Sequence, residues 1–228
     1  MVPEKEIMPV RIKFSKTGDL MYISHLDLSR TMQRIMVRAG VDIWYSEGFN
    51  PQPRIVFALP LPVGVESQCE LMDIKINKPM AFDEIKERIQ SNFPDGMRVI
   101  DVYAPAVKFK NICFADYTIK LFSPKFNSYS CEEINNLFSK ECVITKRSKS
   151  GEKEVDIRDF IKKITAESRD DYVEINAIIS AGNENNLNPE LIVEAIRTKL
   201  NLLNSGEIDE YCTIMRNRML DEQLNDVI

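Results

Sequence analysis

The chain has 228 residues, 44% of them hydrophobic and 29% charged, a balance that excludes an intrinsically disordered chain and fits one large or two small folded domains. A formal net charge of -5 and a pI near 5.2 exclude nucleic-acid binding through bulk charge, which takes an excess of Lys and Arg, and leave room for a local basic patch. The five cysteines (Cys69, Cys113, Cys131, Cys142 and Cys212) show no CxxC spacing and His25 is the one histidine, so no cluster, metal site or cofactor is expected.

The first residues, MVPEKEIMPVRIKF, are charged and lack the apolar core of a signal peptide, and no stretch approaches the roughly 20 apolar residues of a membrane span. A cytoplasmic, bacterial-type protein with reduced thiols and no membrane association is expected. Residues 10–16, VRIKFSK, alternate: Val10, Ile12 and Phe14 point one way, Arg11, Lys13 and Ser15 the other, as in a strand with one buried and one exposed face. TGD at 17–19 turns the chain. Ser24 then fits a helix N-cap, with Asp27 in the place of a capping-box acid and Ile23 and Leu28 as a hydrophobic staple. The helix HLDLSRTMQRIMVRA ends at Gly40, with Leu28, Met32, Ile35 and Ala39 as its core face and Arg30, Arg34 and Arg38 along an exposed one.

A strand (41–45), the loop SEGFNPQPR (46–54), an apolar run (55–59) and the strand CELMDIKI (69–76) follow. A helix striped by Phe82, Ile85, Ile89 and Phe93 and a strand at 97–104 complete a β-α-β-β-α-β order, that of a ferredoxin-like half. The second half repeats it by order alone. It has a strand at 116–122, a short helix capped by Ser130 and a hairpin over ECVITKRSKSGEKEVDI with its polar turn at 148–153. RDFIKKITAES reads as a short helix and 171–179 as a strand. A helix follows with Asn188 as cap and Pro189 at its first position, then the last strand DEYCTIMRNRML and a loose tail DEQLNDVI. The expected architecture is α+β: two tandem ferredoxin-like (βαββαβ) halves with antiparallel sheets, divided as 1–110 and 111–228.

No Walker-type or GxGxxG loop, HExxH or GxSxG motif is present. His25 opens a helix whose free backbone N–H groups favour an anion, which makes it a phosphate ligand or, in an enzyme, an acid–base group alongside Tyr22; its alternative is an imidazole packed on the helix start. The arginine row reads as a phosphate-tracking stripe or as a solvated helix face, with Arg11 and Lys13 able to extend the stripe. Residues 1–64 hold 8 Lys and Arg against 6 Asp and Glu, the remainder 22 against 29, so the positive balance is N-terminal. Nine residues are more than a hairpin turn needs. Gly48 allows a positive φ, while Pro51 and Pro53 fix φ and hold Asn50 and Gln52 extended, so the loop suits a preformed site. In it Phe49 is a stacking ring or an anchor to the core, Arg54 a clamp for phosphate or carboxylate, and Glu47 an acceptor for an amine.

The segment YISHLDLSRTMQRIMVRAGVDIWYSEGFNPQPRIVFALPLPVGVES closely resembles the opening of the radical SAM-linked (radical SAM-associated) bacterial proteins of unknown function, with the pattern HLD…R…R.AG…YSEGFNP.P…A.PLP.G.ES. VDIRDFI, NPELIVEAI and RNRML resemble the family's second-half signatures, and Arg158 of the first joins the binding residues on that basis. Where the family's pattern carries Arg-Pro, this chain has Asn188-Pro189. The resemblance implies a companion of a radical SAM protein and not the radical enzyme itself, since cluster cysteines are absent. Tandem ferredoxin-like order with a histidine at the first helix is also similar to the CRISPR repeat-processing endoribonucleases, an analogy of fold. The expectation is a non-catalytic accessory module that binds or presents a substrate, RNA by preference, to a radical SAM partner through His25, Arg30, Arg34, Glu47, Phe49, Asn50, Arg54 and Arg158. The alternatives are a metal-independent endoribonuclease using His25 and Tyr22, and a protein-docking adaptor.

Overall fold

The computed structural model of the chain describes residues 7–126, 129–148, 151–182, 185–203, 206 and 208–227, with the side chains of 146–148 left aside. They form a mixed α+β protein with antiparallel sheets and four α-helices, in two compact units that divide between Phe109 and Lys110.

In the first unit, β1 (Met8–Lys16) pairs antiparallel with β3 (Val65–Ile76) on one side and β4 (Met97–Tyr103) on the other, and β2 (Ile55–Phe57) pairs antiparallel with β3. The strand order is therefore β4-β1-β3-β2. The alternation of β1 works as expected on one face: Val10, Ile12 and Phe14 are fully buried in a core with Leu28, Met32, Ile35 and Met36 of α1 (His25–Arg38) and Ile85 and Ile89 of α2 (Phe82–Gln90). Ser24 caps α1, its Oγ accepting the Asp27 N–H at 3.1 Å, and Gly40 ends it at φ +66°.

The other face of β1 departs from expectation. Arg11 is not exposed but fully buried, and cannot extend a surface stripe. Its Nε and Nη2 donate to both Asp73 oxygens (2.7 and 2.9 Å), Nη2 also donates to the Val107 carbonyl (2.7 Å), and the guanidinium lies 4.2 Å from the Phe109 ring centre. A buried guanidinium has to be paired to offset its desolvation, and here the pairing ties the segment after β4 onto the sheet. Tyr103 sits opposite Arg11 in the ladder, and burial pushes its phenol up against the opposing pull of Arg11. Residues 41–45 make only isolated bridges, Ile43 to Ile76 and Tyr45 to Pro53, in place of the expected strand. Prolines 51 and 53 carry no N–H, so the returning chain cannot complete a ladder there.

In the second unit the sheet order is β10 (Tyr211–Leu220), β5 (Phe114–Phe122), β9 (Val173–Ser180), β8 (Ile161–Ser168), every pair antiparallel. The strands β6 (Val143–Ser148) and β7 (Gly151–Asp156) form a separate hairpin, whose turn residues 149–150 lie outside the described residues. Helices α3 (Ser130–Leu137) and α4 (Glu190–Leu200) bury Ile134, Ile192, Val193, Ala195 and Ile196. Every second residue of β5 and β9 is fully buried and the others are half-buried, the signature of a sheet covered on one side.

Four readings change in this unit. RDFIKKITAES is one 3-10 turn (Arg158–Phe160) followed by β8; a bulge between Ile161 and Lys163 puts Ile161 and Ile164 at a helix-like spacing. Ser130 is the first residue of α3 and not its cap, and it faces inward. The tail is ordered: the Asp221 carboxylate accepts the N–H groups of Gln223 and Asn225 (2.9 and 2.8 Å), which hold its carboxyl below the usual range, and the Val227 N–H donates to Met219 O at 2.9 Å. At α4 the start lies one residue later than expected, with Pro189 in the cap position and Glu190 first in the helix, while Asn188 Oδ1 accepts the Glu190 N–H at 3.2 Å.

The buried clamp generates a stability prediction. Arg11→Ala leaves Asp73 without its partner and should destabilise the first unit by about 3 kcal/mol, read by urea unfolding on the fluorescence of Trp44, the one tryptophan of the chain. A loss under about 1 kcal/mol contradicts the clamp.

Candidate functional site

The loop is closed at its neck by a short ladder. Ser46 N–H donates to Gln52 O (2.9 Å), Gln52 N–H donates back to Ser46 Oγ (3.0 Å), and Arg54 N–H donates to Trp44 O (3.1 Å). The Trp44 N–H donates in turn to Lys75 O of β3 (2.7 Å), so the neck hangs from the sheet. Beyond the neck, Glu47, Gly48, Phe49, Asn50 and Pro51 are all exposed. Gly48 takes φ +132°, a backbone that side chains rarely adopt. The Phe49 ring stands wholly in solvent at 112% of its reference exposure, which decides between its two readings: it does not anchor the loop to the core.

Trp44 is the residue that sequence reasoning missed. The Arg54 guanidinium lies 5.6 Å and the Lys75 ammonium 5.7 Å from its ring centre, so two cations share one indole. The signal was a lone tryptophan beside the loop, but a strand reading of 41–45 hid it among core residues. Arg54 is thus held at the neck.

The helix residues are placed less uniformly than a continuous stripe requires. Arg30, Arg34 and Arg38 are exposed as expected. Arg30 sits 3.6 Å from Asp27, Arg38 donates to the Asn92 carbonyl beyond α2 (3.1 Å), and Arg34 alone has no ion pair or hydrogen bond among the described residues. His25 is exposed and packs edge-on to Phe57 of β2, with ring centres 5.1 Å apart. No hydrogen bond joins it to Tyr22 or Asp27; Asp27 is engaged with Ser24. The start of α1 therefore meets β2, and its end meets the loop neck, where Val37 and Tyr45 line one shallow depression with Gly40 and Ile43. Arg158 belongs to the second unit, where its guanidinium closes a local turn by donating to Ile161 O (2.7 Å).

A model of one bacterial protein family matches residues 10–189, well over half of the chain and all the candidate residues above. The chain belongs to that family, described as an uncharacterized protein conserved in bacteria (DUF2344). Curated proteins give no match. Among solved structures, a chain of a Cbf5-Nop10-Gar1 complex is 10% identical with a TM-score of 0.47, covering 92% of this chain and 48% of that one. This chain thus spans about half the length of that chain. An unknown protein from Galdieria sulphuraria is 7% identical with a TM-score of 0.26, covering 92% of this chain and 99% of that one. Likeness at these scores carries no argument here. Among the described residues no helix is long and apolar enough to cross a membrane, and no group of His, Cys, Asp and Glu could hold a metal ion.

The geometry predicts that Phe49→Ala leaves the urea midpoint of the first unit within about 0.5 kcal/mol of the parent, as for other surface substitutions. A loss above 1 kcal/mol would show that the ring packs against the core.

Proposed function

We propose that the chain is a non-catalytic accessory module of the bacterial cytoplasm that binds RNA through its first half and presents it to a radical SAM partner protein. The observation that carries this reading is the pinned loop, which holds Phe49 in solvent beyond a neck where Arg54 and Lys75 share Trp44. A loop already fixed by its own hydrogen bonds loses little freedom on binding. A solvated ring suits stacking on an unpaired base, and guanidinium groups at Arg34 and Arg54 suit phosphates. Binding is preferred to chemistry because His25 meets a phenylalanine edge and no group that would orient it as a base. The resemblance of the long first-half motif to that of radical SAM-linked proteins is what suggests the partner.

The finer architecture belongs to this proposal. Each unit is read as ferredoxin-like: β4-β1-β3-β2 in the first and β10-β5-β9-β8 in the second, the latter with the hairpin β6–β7 inserted ahead of its second sheet strand. The domain division at about residue 110 belongs with it.

Fluorescence anisotropy with a labelled single-stranded RNA tests the binding. Affinity should fall steeply with salt, and joint Arg34→Glu and Arg54→Glu should weaken it tenfold or more while reducing the salt slope by about one to two, since each phosphate contact on a single strand contributes about 0.7. If the parent protein ignores RNA at low salt and captures only a protein, the RNA part is wrong.

A further inference from the structure

The two helices of the second unit leave one face of its sheet uncovered, and that face has a chemistry of its own. The residues of β5 that alternate with the buried set are Phe114, Asp116, Thr118, Lys120 and Phe122. At one end of the face, Phe122 stacks on Tyr211 of β10, its direct cross-strand partner, with ring centres 4.4 Å apart and planes 10° from parallel. On its other side lies Tyr172, the residue before β9, 5.3 Å away and tilted by 38°. Three aromatic rings thus stand in a row across β10, β5 and the entry to β9, with Tyr211 exposed at the outer end. The stack occupies the facing sides of Phe122 and Tyr211, so the π face open to an unpaired base is that of the exposed Tyr211 at the outer end of the row.

Two lysines lie over rings of this face. The Lys120 ammonium lies 5.0 Å over the Tyr172 ring, and at the far end of β5 the Lys162 ammonium lies 5.8 Å over Phe114. Three of the acids nearby are each held by a cation, Glu174 by Arg169 (2.7 Å), Asp116 by Arg218 (2.6 Å) and Glu210 by Lys125 (3.1 Å), whereas Asp170 and Asp171 beside Tyr172 and Asp209 near Tyr211 have no such partner among the described residues. Between the two ends runs a polar row in which Asn217 donates to Thr118 Oγ1 (2.9 Å) and Thr118 donates to Asn176 Oδ1 (3.2 Å). Aromatic rings, cations and side-chain amides on one sheet face are the groups with which open four-stranded sheets read unpaired bases.

We infer that the uncovered face of the second sheet is a stacking platform for the bases of single-stranded RNA, centred on Tyr211, Phe122 and Tyr172 with Lys120 beside them. The inference shares its ligand class with the reading of the first-unit loop and rests on different residues. Stacking governs it, so binding should tolerate base sequence and reject duplex, whose bases are already stacked.

The test is anisotropy titration of the full chain with a labelled 12-nucleotide single-stranded RNA of mixed sequence and with the same RNA as a duplex. Tyr211→Ala should weaken single-strand binding at least about fivefold, the loss of one aromatic–base stack, while Tyr211→Phe keeps it. Photocrosslinking of the same strand carrying 4-thiouridine should label peptides that contain Phe122 or Tyr211, which does not require any variant to fold. Unchanged affinity in Tyr211→Ala with no label on those peptides overturns the platform, as does equal or tighter binding of the duplex. Loss with Arg34→Glu and Arg54→Glu alone overturns the platform and leaves the loop reading standing. Loss with Tyr211→Ala alone does the reverse. No RNA binding by the parent protein overturns both.

Discussion

A sheet whose helices lie on one side has to do something with the other, and the two units of this protein answer differently. In the first, β1 turns an arginine toward that side. A guanidinium cannot be left dry and unpaired, so Arg11 draws in Asp73 from β3, the carbonyl of Val107 and the ring of Phe109. The chain leaving β4 is thereby strapped across the outer face, and the unit's accessible chemistry shifts to its edge, where β2, the start of α1 and the loop neck lie. In the second unit the strand β5 places Thr118, Lys120 and Phe122 on its outer side, and these remain half-buried with aromatic and polar neighbours. The uncovered side is there available as a surface.

The edge of the first unit gains its character from rigidity more than from charge. Two cations on one indole, a neck closed by reciprocal backbone and side-chain hydrogen bonds, and a fixed proline backbone together hold a ring in solvent that would otherwise be driven inward. Such a ring is a cost to the isolated protein, and under the proposed function it is the contact that a ligand would cover. The exposed Arg34, with no ion pair to compete for it among the described residues, adds a charge that a ligand can use fully. Neither feature depends on the overall charge of -5.

Much of this was legible in the sequence where a period of two or 3.6 met a clean boundary. Strand β1, helix α1 with its Ser24 cap and Gly40 stop, and the stripe of α2 all follow from patterning, because one face of each has to be apolar. What patterning could not reveal was which polar residue would be buried. Arg11 alternates as a surface residue should, and only the three-dimensional arrival of Asp73 and Phe109 reverses its exposure. The bulge at Ile161–Lys163 broke the strand period and mimicked a helix. The tail read as loose because its order rests on a few hydrogen bonds to Asp221 and Met219 and not on periodicity. At the candidate site, the stiffness of the loop was readable from Gly48, Pro51 and Pro53. The part played by Trp44 was not, since its two cations come from residues 10 and 31 positions away in the chain. The Phe122–Tyr172–Tyr211 row likewise joins three segments that no sequence motif links.

The central claim is that RNA is what these surfaces hold. Ultraviolet crosslinking in living cells, followed by purification of the intact chain and identification of both its nucleic-acid and its protein adducts, addresses it most directly. The account predicts RNA adducts on the peptide bearing Phe49, recovered together with a radical SAM protein. Recovery of protein partners alone, with no RNA adduct anywhere on the chain, would contradict it.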